Sequence, residues 1–434
     1  MNISFIVPSW HYFHDPFRLQ PYWEMYYATI LKKQLSPRHN INICDLRGMG
    51  KDNFSDVVKK IPQADFYIYW IMKSGDALEI YSIVKHLKSI NQDSLHIAGG
   101  THVDMLPNEC EKYFDKIITG PGEKTFFEAI TDNNNAKKRY VGNYNTEPFS
   151  ETDYPDRSFL KPEQVISDKM FIKYGNPKAT MVYFSRGCFY RCSYCVYNVP
   201  NTLQVKSKSK MLDELKYLKD NYQIKAVLLK DEIAINPKMD LFNNQIEALG
   251  ESGLMWRGQT TSIAKYEQLK LAKESGCVEL SVGVETIDSG VMKIINKQWQ
   301  NEKSIGEFIE NAKKVGIKVK MCLIFGLPGE PRNIVEKTQN FIKKHSPDYV
   351  SLSGFCPLPG SPIFKDPKKY GIKYINNDWS KHAHLLYRFS DEEEVGIPFE
   401  YEKSAEWGPT FSRKEIMENI RTTQRWLEEE SMTY

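Results

Sequence analysis

Short apolar strands alternate with helical segments along most of this chain, in two successive runs, and that alternation limits the fold more than any other feature. Strands and helices in turn bury their apolar faces together as a parallel sheet with helices on its faces. In the first run Ile3 to Val7, Ile41 to Cys44, Phe66 to Met72, Leu95 to Ala98 and Lys116 to Ile118 read as strands, and Tyr22 to Lys33 and Ala77 to Ile90 as helices. The expected fold class is therefore α/β, opening with a doubly wound parallel sheet over residues 1–135 that ends at the polar stretch Asp132-Asn-Asn-Asn-Ala. Residues 136–177, rich in Pro, Asp and Tyr, read as an irregular linker. The second run, within residues 178–365, places strands at Met181 to Ser185, Ala226 to Lys230, Trp256 to Thr260, Leu280 to Val284, Lys318 to Phe325 and Tyr349 to Phe355. Six strand-helix units of this spacing fit a partial, open barrel with its site at the C-terminal strand ends. Residues 366–434 hold Trp379, His382, His384, Tyr387, Trp407 and a terminal helix from Arg413 to Glu430, and are expected to cap the barrel mouth as a largely helical tail. At 434 residues the chain exceeds a usual single core, in keeping with at least two domains.

Directly after the first strand of the second run comes Ser185-Arg-Gly-Cys-Phe-Tyr-Arg-Cys-Ser-Tyr-Cys195, a CxxxCxxC spacing. Three thiolates on one short loop can hold three irons of a four-iron four-sulfur cluster and leave the fourth open to a ligand that is not protein. Gly187 permits a sharp turn before Cys188, and Arg186 and Arg191 bring positive charge toward thiolates that must stay deprotonated. Zinc is the main alternative, but it wants four Cys or His ligands, and no second CxxC or HxxxH group accompanies Cys188, Cys192 and Cys195; Cys277 or Cys322 would have to complete the site. The remaining cysteines, Cys44, Cys110, Cys277, Cys322 and Cys356, are scattered, which does not resemble a disulfide framework and fits a reducing compartment.

With Tyr194 as the aromatic residue before the last cysteine, this loop resembles that of the radical S-adenosylmethionine enzymes, closest to members with an N-terminal cobalamin-binding-type domain. The resemblance covers nearly the whole chain up to its last segment. It implies that the open iron is chelated by S-adenosylmethionine, whose reductive cleavage gives a 5′-deoxyadenosyl radical, within a partial (β/α)6 barrel that follows a Rossmann-like cobalamin domain. Further motifs then fall into family order. Lys230-Asp231-Glu232 ends the second barrel strand, where an acid receives the amino group of S-adenosylmethionine; the alternative is a solvated turn. Glu285 ends the fourth strand in a Gly-x-Glu element that meets the nucleoside; a salt bridge to Arg257 is the structural alternative. Gly326-Leu-Pro-Gly329-Glu330 matches the loop that packs on the adenine, although the glycines also suit a bare turn, and Pro357-Leu-Pro-Gly-Ser361-Pro matches a rigid exit loop with Ser for the usual Thr.

In the first run, Gly99-Gly100-Thr-His102 and Gly120-Pro121-Gly122-Glu123 follow successive strands, and with Pro107-Asn-Glu109 and Asp115 they resemble the order found in cobalamin-binding domains. Pro121 replaces a Glu of the usual Gly-Glu-Gly-Glu. The Asp-x-His-x-x-Gly motif that supplies a lower cobalt ligand is absent, its nearest string being Asp45-Leu-Arg47-Gly-Met-Gly50, so His102 reads as a polar loop contact and a degenerate scaffold domain is the alternative. The resemblance implies a cobalamin-dependent radical methyltransferase acting on an unactivated carbon of a small-molecule or natural-product substrate. A cyclase, ring-contraction or oxidative rearrangement enzyme without methyl transfer is the second reading, and a redox-sensing iron-sulfur binding protein the third. A net charge of +3 gives no reason for a nucleic-acid partner. The N-terminus has no basic leader and no apolar run reaches spanning length, so the expectation is a cytoplasmic protein with no membrane partner that receives electrons from a flavodoxin or ferredoxin.

Overall fold

The computed structural model describes residues 1–13, 15–134, 136–196, 203–382 and 397–433. Contacts divide the chain into two compact units, Met1–Met181 with Tyr217–Ile224, and Val182–Lys216 with Lys225–Tyr434.

In the first unit β1 (Asn2–Val7), β2 (Asn40–Asp45), β3 (Phe66–Trp70), β4 (Leu95–Gly99), β5 (Lys116–Thr119) and β6 (Arg139–Val141) form one parallel sheet in the order β2-β1-β3-β4-β5-β6. The reversal of order between β1 and β3 makes a switch point, the place where ligands of open α/β sheets sit. Ile3, Phe5, Ile6 and Val7 of β1 and all of β3 are buried, as expected for strands covered on both faces. Thus the doubly wound expectation holds, and the sheet also takes in β6, from the stretch read as irregular.

Strand β7 (Ala179–Val182) begins the second sheet. A short antiparallel ladder of β8 (Ser185–Arg186) with β9 (Gln204–Val205) follows it. Then come β10 (Ala226–Leu229), β11 (Met255–Thr260), β12 (Cys277–Glu285), β13 (Lys318–Phe325) and β14 (Tyr349–Gly354). The sheet order is β14-β13-β12-β11-β10-β7, strands in chain order from one edge to the other, so the six strands form an open partial barrel as expected. Trp256 of β11 is among the largest fully buried side chains, and Leu280, Val282 and Val284 of β12 lie inside with it.

The last segment adds β15 (Ile372–Ile375), paired antiparallel with β16 (Phe399–Tyr401), and the helix Arg413–Glu429. That helix starts on a reciprocal cap between Ser412 and Glu415 and buries Ile416, Ile420, Thr423 and Leu427, one side of a 3.6-residue period. Ile416 occupies the space a Cβ on Gly326 would need, and Ile420 and Ile397 do so at Gly354, so the tail packs over the ends of β13 and β14. His382 and Trp379 are buried in an edge-on pair at 4.9 Å, while His384 and Tyr387 lie outside the described residues.

Candidate functional site

Cys188, Cys192 and Cys195 lie on the loop that leaves β8, none of them in a disulfide, with Cys192 buried and the other two half-buried. Gly187 takes a left-handed φ of 85°, which makes the sharp turn into the loop. Arg191 folds its guanidinium back onto the carbonyls of Cys188 and Tyr190 at 3.0 and 2.9 Å, and Arg186 is buried against the Gln204 side chain at 2.8 Å. Burial raises the Cys188 thiol to about 11 and also raises Cys192, whereas Lys297 favours the Cys192 thiolate.

A turn at Ile295, Asn296 and Lys297 grips this loop residue by residue. The Ile295 carbonyl accepts from the Ser193 amide at 2.8 Å, the Asn296 side-chain amide donates to the Arg191 carbonyl at 2.7 Å, and the Lys297 ammonium donates to the Tyr194 hydroxyl at 3.2 Å. Asn296 is held at φ 54°, a left-handed conformation that Asn tolerates better than most residues. From the other side the Ile363 amide donates to the Ser193 carbonyl at 3.1 Å, just past Ser361, whose hydroxyl caps the helix Pro362–Lys365. The exit loop is thereby a brace of the cysteine loop.

Lys297 also donates to Glu285 Oε1 at 2.9 Å and to the Gly283 carbonyl at 2.8 Å, and the Tyr194 hydroxyl donates to the same Glu285 oxygen at 3.1 Å. Glu285 sits at φ 65° where the β12–β13 pairing slips by one residue, which turns the strand end out of register. The salt bridge to Arg257 is corrected. Arg257 lies opposite Glu279 in the β11–β12 register and pairs with it at 3.0 Å, both buried, so it is not available to Glu285. Behind the loop Trp299 stacks on Tyr190 at 4.0 Å between ring centres; its buried indole N–H has no hydrogen-bond partner among the described residues and lies beside Cys192.

The two acids after β10 take different positions. Asp231 is buried and its Oδ1 accepts the Phe184 amide at 2.8 Å, fixing the chain just before β8, while burial raises its carboxyl to about 7. Glu232 is half-buried, makes no hydrogen bond among the described residues and acts electrostatically on Cys188, raising its thiol. Its carboxyl is raised to about 7, again chiefly by burial, with Lys230 opposing. In the loop after β13, Gly326 and Gly329 both adopt φ 88°, Glu330 accepts the Gly326 amide at 2.9 Å, and Tyr401 donates to the Gly326 carbonyl at 2.9 Å. Ile294 fills the space a Cβ on Gly329 would need. Cys277 opens β12, at the opposite end from Glu285 and hence about 26 Å away along the strand.

In the first unit the Gly99 and Gly120 loops leave neighbouring strands on the same rim. A Cβ on Gly99 would meet the Trp70 ring at 2.6 Å, Gly100 at φ 102° lies on the Ile71 backbone, and Gly122 gives its space to Phe126 and Tyr27. Gly120, at φ 82°, donates its amide to Asp104 at 2.7 Å. His102 is buried with its ring nitrogens 2.9 Å from the Tyr81 and Ser74 hydroxyls, and Glu123 is buried under the Tyr26 hydroxyl at 2.9 Å. Arg47 of the Asp-x-Arg string forks onto Asp45 with one contact of 2.6 Å and lies between Trp10 and Phe17, a structural role. Past the ends of β1 and β3, Trp10, Phe13, Met72 and Lys73 are half-buried, with Trp10 edge-on to Phe13 at 5.9 Å and the Lys73 ammonium 4.4 Å from the Phe13 ring centre.

Residues 182–342 match the family model of the radical SAM superfamily. An uncharacterized methyltransferase of Pyrococcus horikoshii is 27% identical, the match covering 82% of this chain and 80% of the relative. The bacteriochlorophyllide d C-12(1)-methyltransferase of Chlorobaculum tepidum is 25% identical, covering 76% and 72%. Among solved structures, the radical S-adenosylmethionine methyltransferase TsrM from Kitasatospora setae, with tryptophan and a S-adenosylmethionine analogue bound, superimposes with a TM-score of 0.70 at 16% identity, over 98% of this chain and 88% of that one. The cobalamin-dependent radical enzyme OxsB gives 0.63 at 14%, over the whole of this chain and 62% of its own. The barrel is a radical S-adenosylmethionine domain, and the chain is an enzyme. Over the whole chain the fold is similar to that of TsrM and OxsB.

Proposed function

We propose that the chain is a cobalamin-dependent radical methyltransferase acting on an unactivated carbon of a small-molecule or natural-product substrate. The observation that carries this reading is the braced loop: three cysteines outside any disulfide at the C-terminal end of the first barrel strand, held from both sides, with the orphaned Trp299 indole N–H beside Cys192. A buried donor without an acceptor is costly, and a thiolate-ligated cluster offers sulfur to receive it. When bound, the cluster supplies an electron to S-adenosylmethionine and cobalamin carries the methyl group.

Cys188, Cys192 and Cys195 would each ligate one iron. Glu232 would accept the amino group of S-adenosylmethionine, and Asp231 acts behind it by holding the Phe184 amide. Tyr194 and Glu285 line the nucleoside side, and the Gly326 to Glu330 turn shapes the wall behind the adenine. Cobalamin would rest against Trp10, Phe13, Met72 and Lys73, bordered by the loops of Gly99, Gly100, Gly120 and Gly122. His102 and Glu123 hold those loops in shape, since both are bonded within the protein. No described helix is long and apolar enough to cross a membrane; we place the enzyme in the cytoplasm, reduced by a flavodoxin or ferredoxin.

The test is anaerobic purification followed by an optical spectrum and incubation with S-adenosylmethionine labelled in its methyl group. Corrin bands beside an iron-sulfur shoulder, deoxyadenosine on reduction, and label entering the corrin are expected. Deoxyadenosine without label in the corrin would move the assignment to a ring closure or rearrangement. Zinc in place of iron would end it.

A further inference from the structure

Resting on the reading of a cluster at Cys188, Cys192 and Cys195, we propose that Lys297 is a positioning residue that sets the reduction potential of that cluster, its buried ammonium acting jointly with Glu285 on the Tyr194 end of the loop. Lys297 is 3% exposed, so water screens its charge poorly. Three contacts fix it: the Gly283 carbonyl at 2.8 Å, Glu285 Oε1 at 2.9 Å and the Tyr194 hydroxyl at 3.2 Å. Its backbone amide is tied as well, to the Met292 carbonyl at 2.8 Å. The ammonium therefore has no freedom to swing to solvent, and it is held at the hydroxyl of Tyr194, which lies between Cys192 and Cys195 in sequence.

A reduced cluster carries one more negative charge than an oxidised one, so a fixed positive charge beside its ligands favours reduction and a fixed negative charge opposes it. Potentials of such clusters respond to net charge, hydrogen bonding and solvent exposure. Lys297 and Glu285 are bonded to each other and to the same tyrosine, so each moderates the other's field. The pair also explains a costly arrangement: a carboxylate at a left-handed φ of 65° and a buried lysine are both unfavourable alone, and each is stabilised by the other. The neighbouring Ile295 and Asn296 contacts hold the loop in place without Lys297, which leaves the charge as its separate contribution.

Lys297→Met and Glu285→Gln, each reconstituted anaerobically, test this by redox titration of the cluster's electron paramagnetic resonance signal, with wild type and both variants at the same pH. At the potential where half of the wild-type clusters are reduced, the reduced fraction is expected to fall below about one tenth in Lys297→Met and to rise above about nine tenths in Glu285→Gln. A merely structural role would move both variants the same way or neither. Wild-type midpoints in both, with iron content unchanged, would overturn the proposal; so would shifts of the same sign. Should Lys297→Met fail to fold by circular dichroism, the direction of the Glu285→Gln shift alone decides. Absence of a cluster from the wild-type protein would instead remove the reading on which this rests.

Discussion

A carboxyl group shut away from water keeps its proton to unusually high pH unless donors compensate for the lost solvation. Glu330 shows the effect: burial raises its carboxyl to about 8, although its oxygen accepts the Gly326 amide. The unfolded chain ionises this group near its ordinary value, so folding binds a proton between the two. Its stabilising contribution is complete below about pH 4.5 and declines as pH rises toward about 8. Gln at this position still offers a carbonyl oxygen to the amide and does not titrate. Glu330→Gln is thus expected to match or trail the wild type at pH 5 and to gain on it steadily up to pH 8, a few degrees in thermal midpoint, read by calorimetry in a pH series. A constant difference across that range would show that the group is ionised in the folded protein.

At the scale of elements, the turn after β13 and the terminal helix fit each other because Gly326 has no side chain. An L-residue at φ 88° costs about 1–2 kcal/mol for its backbone alone. A Cβ there would also come within 2.8 Å of the Ile416 side chain. Gly326→Ala should therefore lower the denaturant midpoint, and the Gly326→Ala/Ile416→Ala double variant should lose less than the two single losses added together, because the second change clears the clash but not the backbone term. Additive losses would mean that helix and turn do not touch. The strands themselves were legible in the sequence: continuous apolar runs such as Phe66 to Trp70 admit little else, and observed ends agree to within three residues. Strand β6 escaped notice because Arg139 and Val141 are exposed and only Tyr140 points inward, leaving no apolar run to see. The cysteine loop and the acids at strand ends were equally readable, since each sits at the end of a strong strand signal. Asn296, Lys297 and Trp299 were not, for Asn-Lys-Gln-Trp reads as surface and its contacts reach across about a hundred residues to the loop. Nor could spacing separate Asp231 from Glu232; only the fold shows that Asp231 is the acid that holds a backbone amide.

On the scale of the whole molecule, the division into two units does not coincide with any single cut in the chain. The division falls within helix Lys208–Tyr222, whose residues from Tyr217 onward, with the chain to Ile224, group with the first unit. There the Tyr217 ring stacks on Tyr154 at 4.8 Å between centres, and its hydroxyl accepts the Arg157 amide at 3.2 Å. Arg157 is fully buried and donates onward to the carbonyls of Pro155 and Met181. A fragment ending at residue 181 should consequently melt without the cooperative transition of the full chain, in circular dichroism at 222 nm, because it lacks the tyrosine that covers this arginine. A sharp melt from that fragment would show that the first unit is complete without it.

The placement of sulfur in this protein decides where air does its damage. Cys44, Cys110, Cys277 and Cys356 are walled in, and burial pushes their thiols toward the unreactive protonated form. Cys188 and Cys195 stand partly open, as does Cys322 on β13. Oxygen and alkylating reagents will accordingly reach the loop and Cys322 before the four enclosed thiols, so a sample handled on the bench can keep its fold and its melting curve after it has lost the capacity to work.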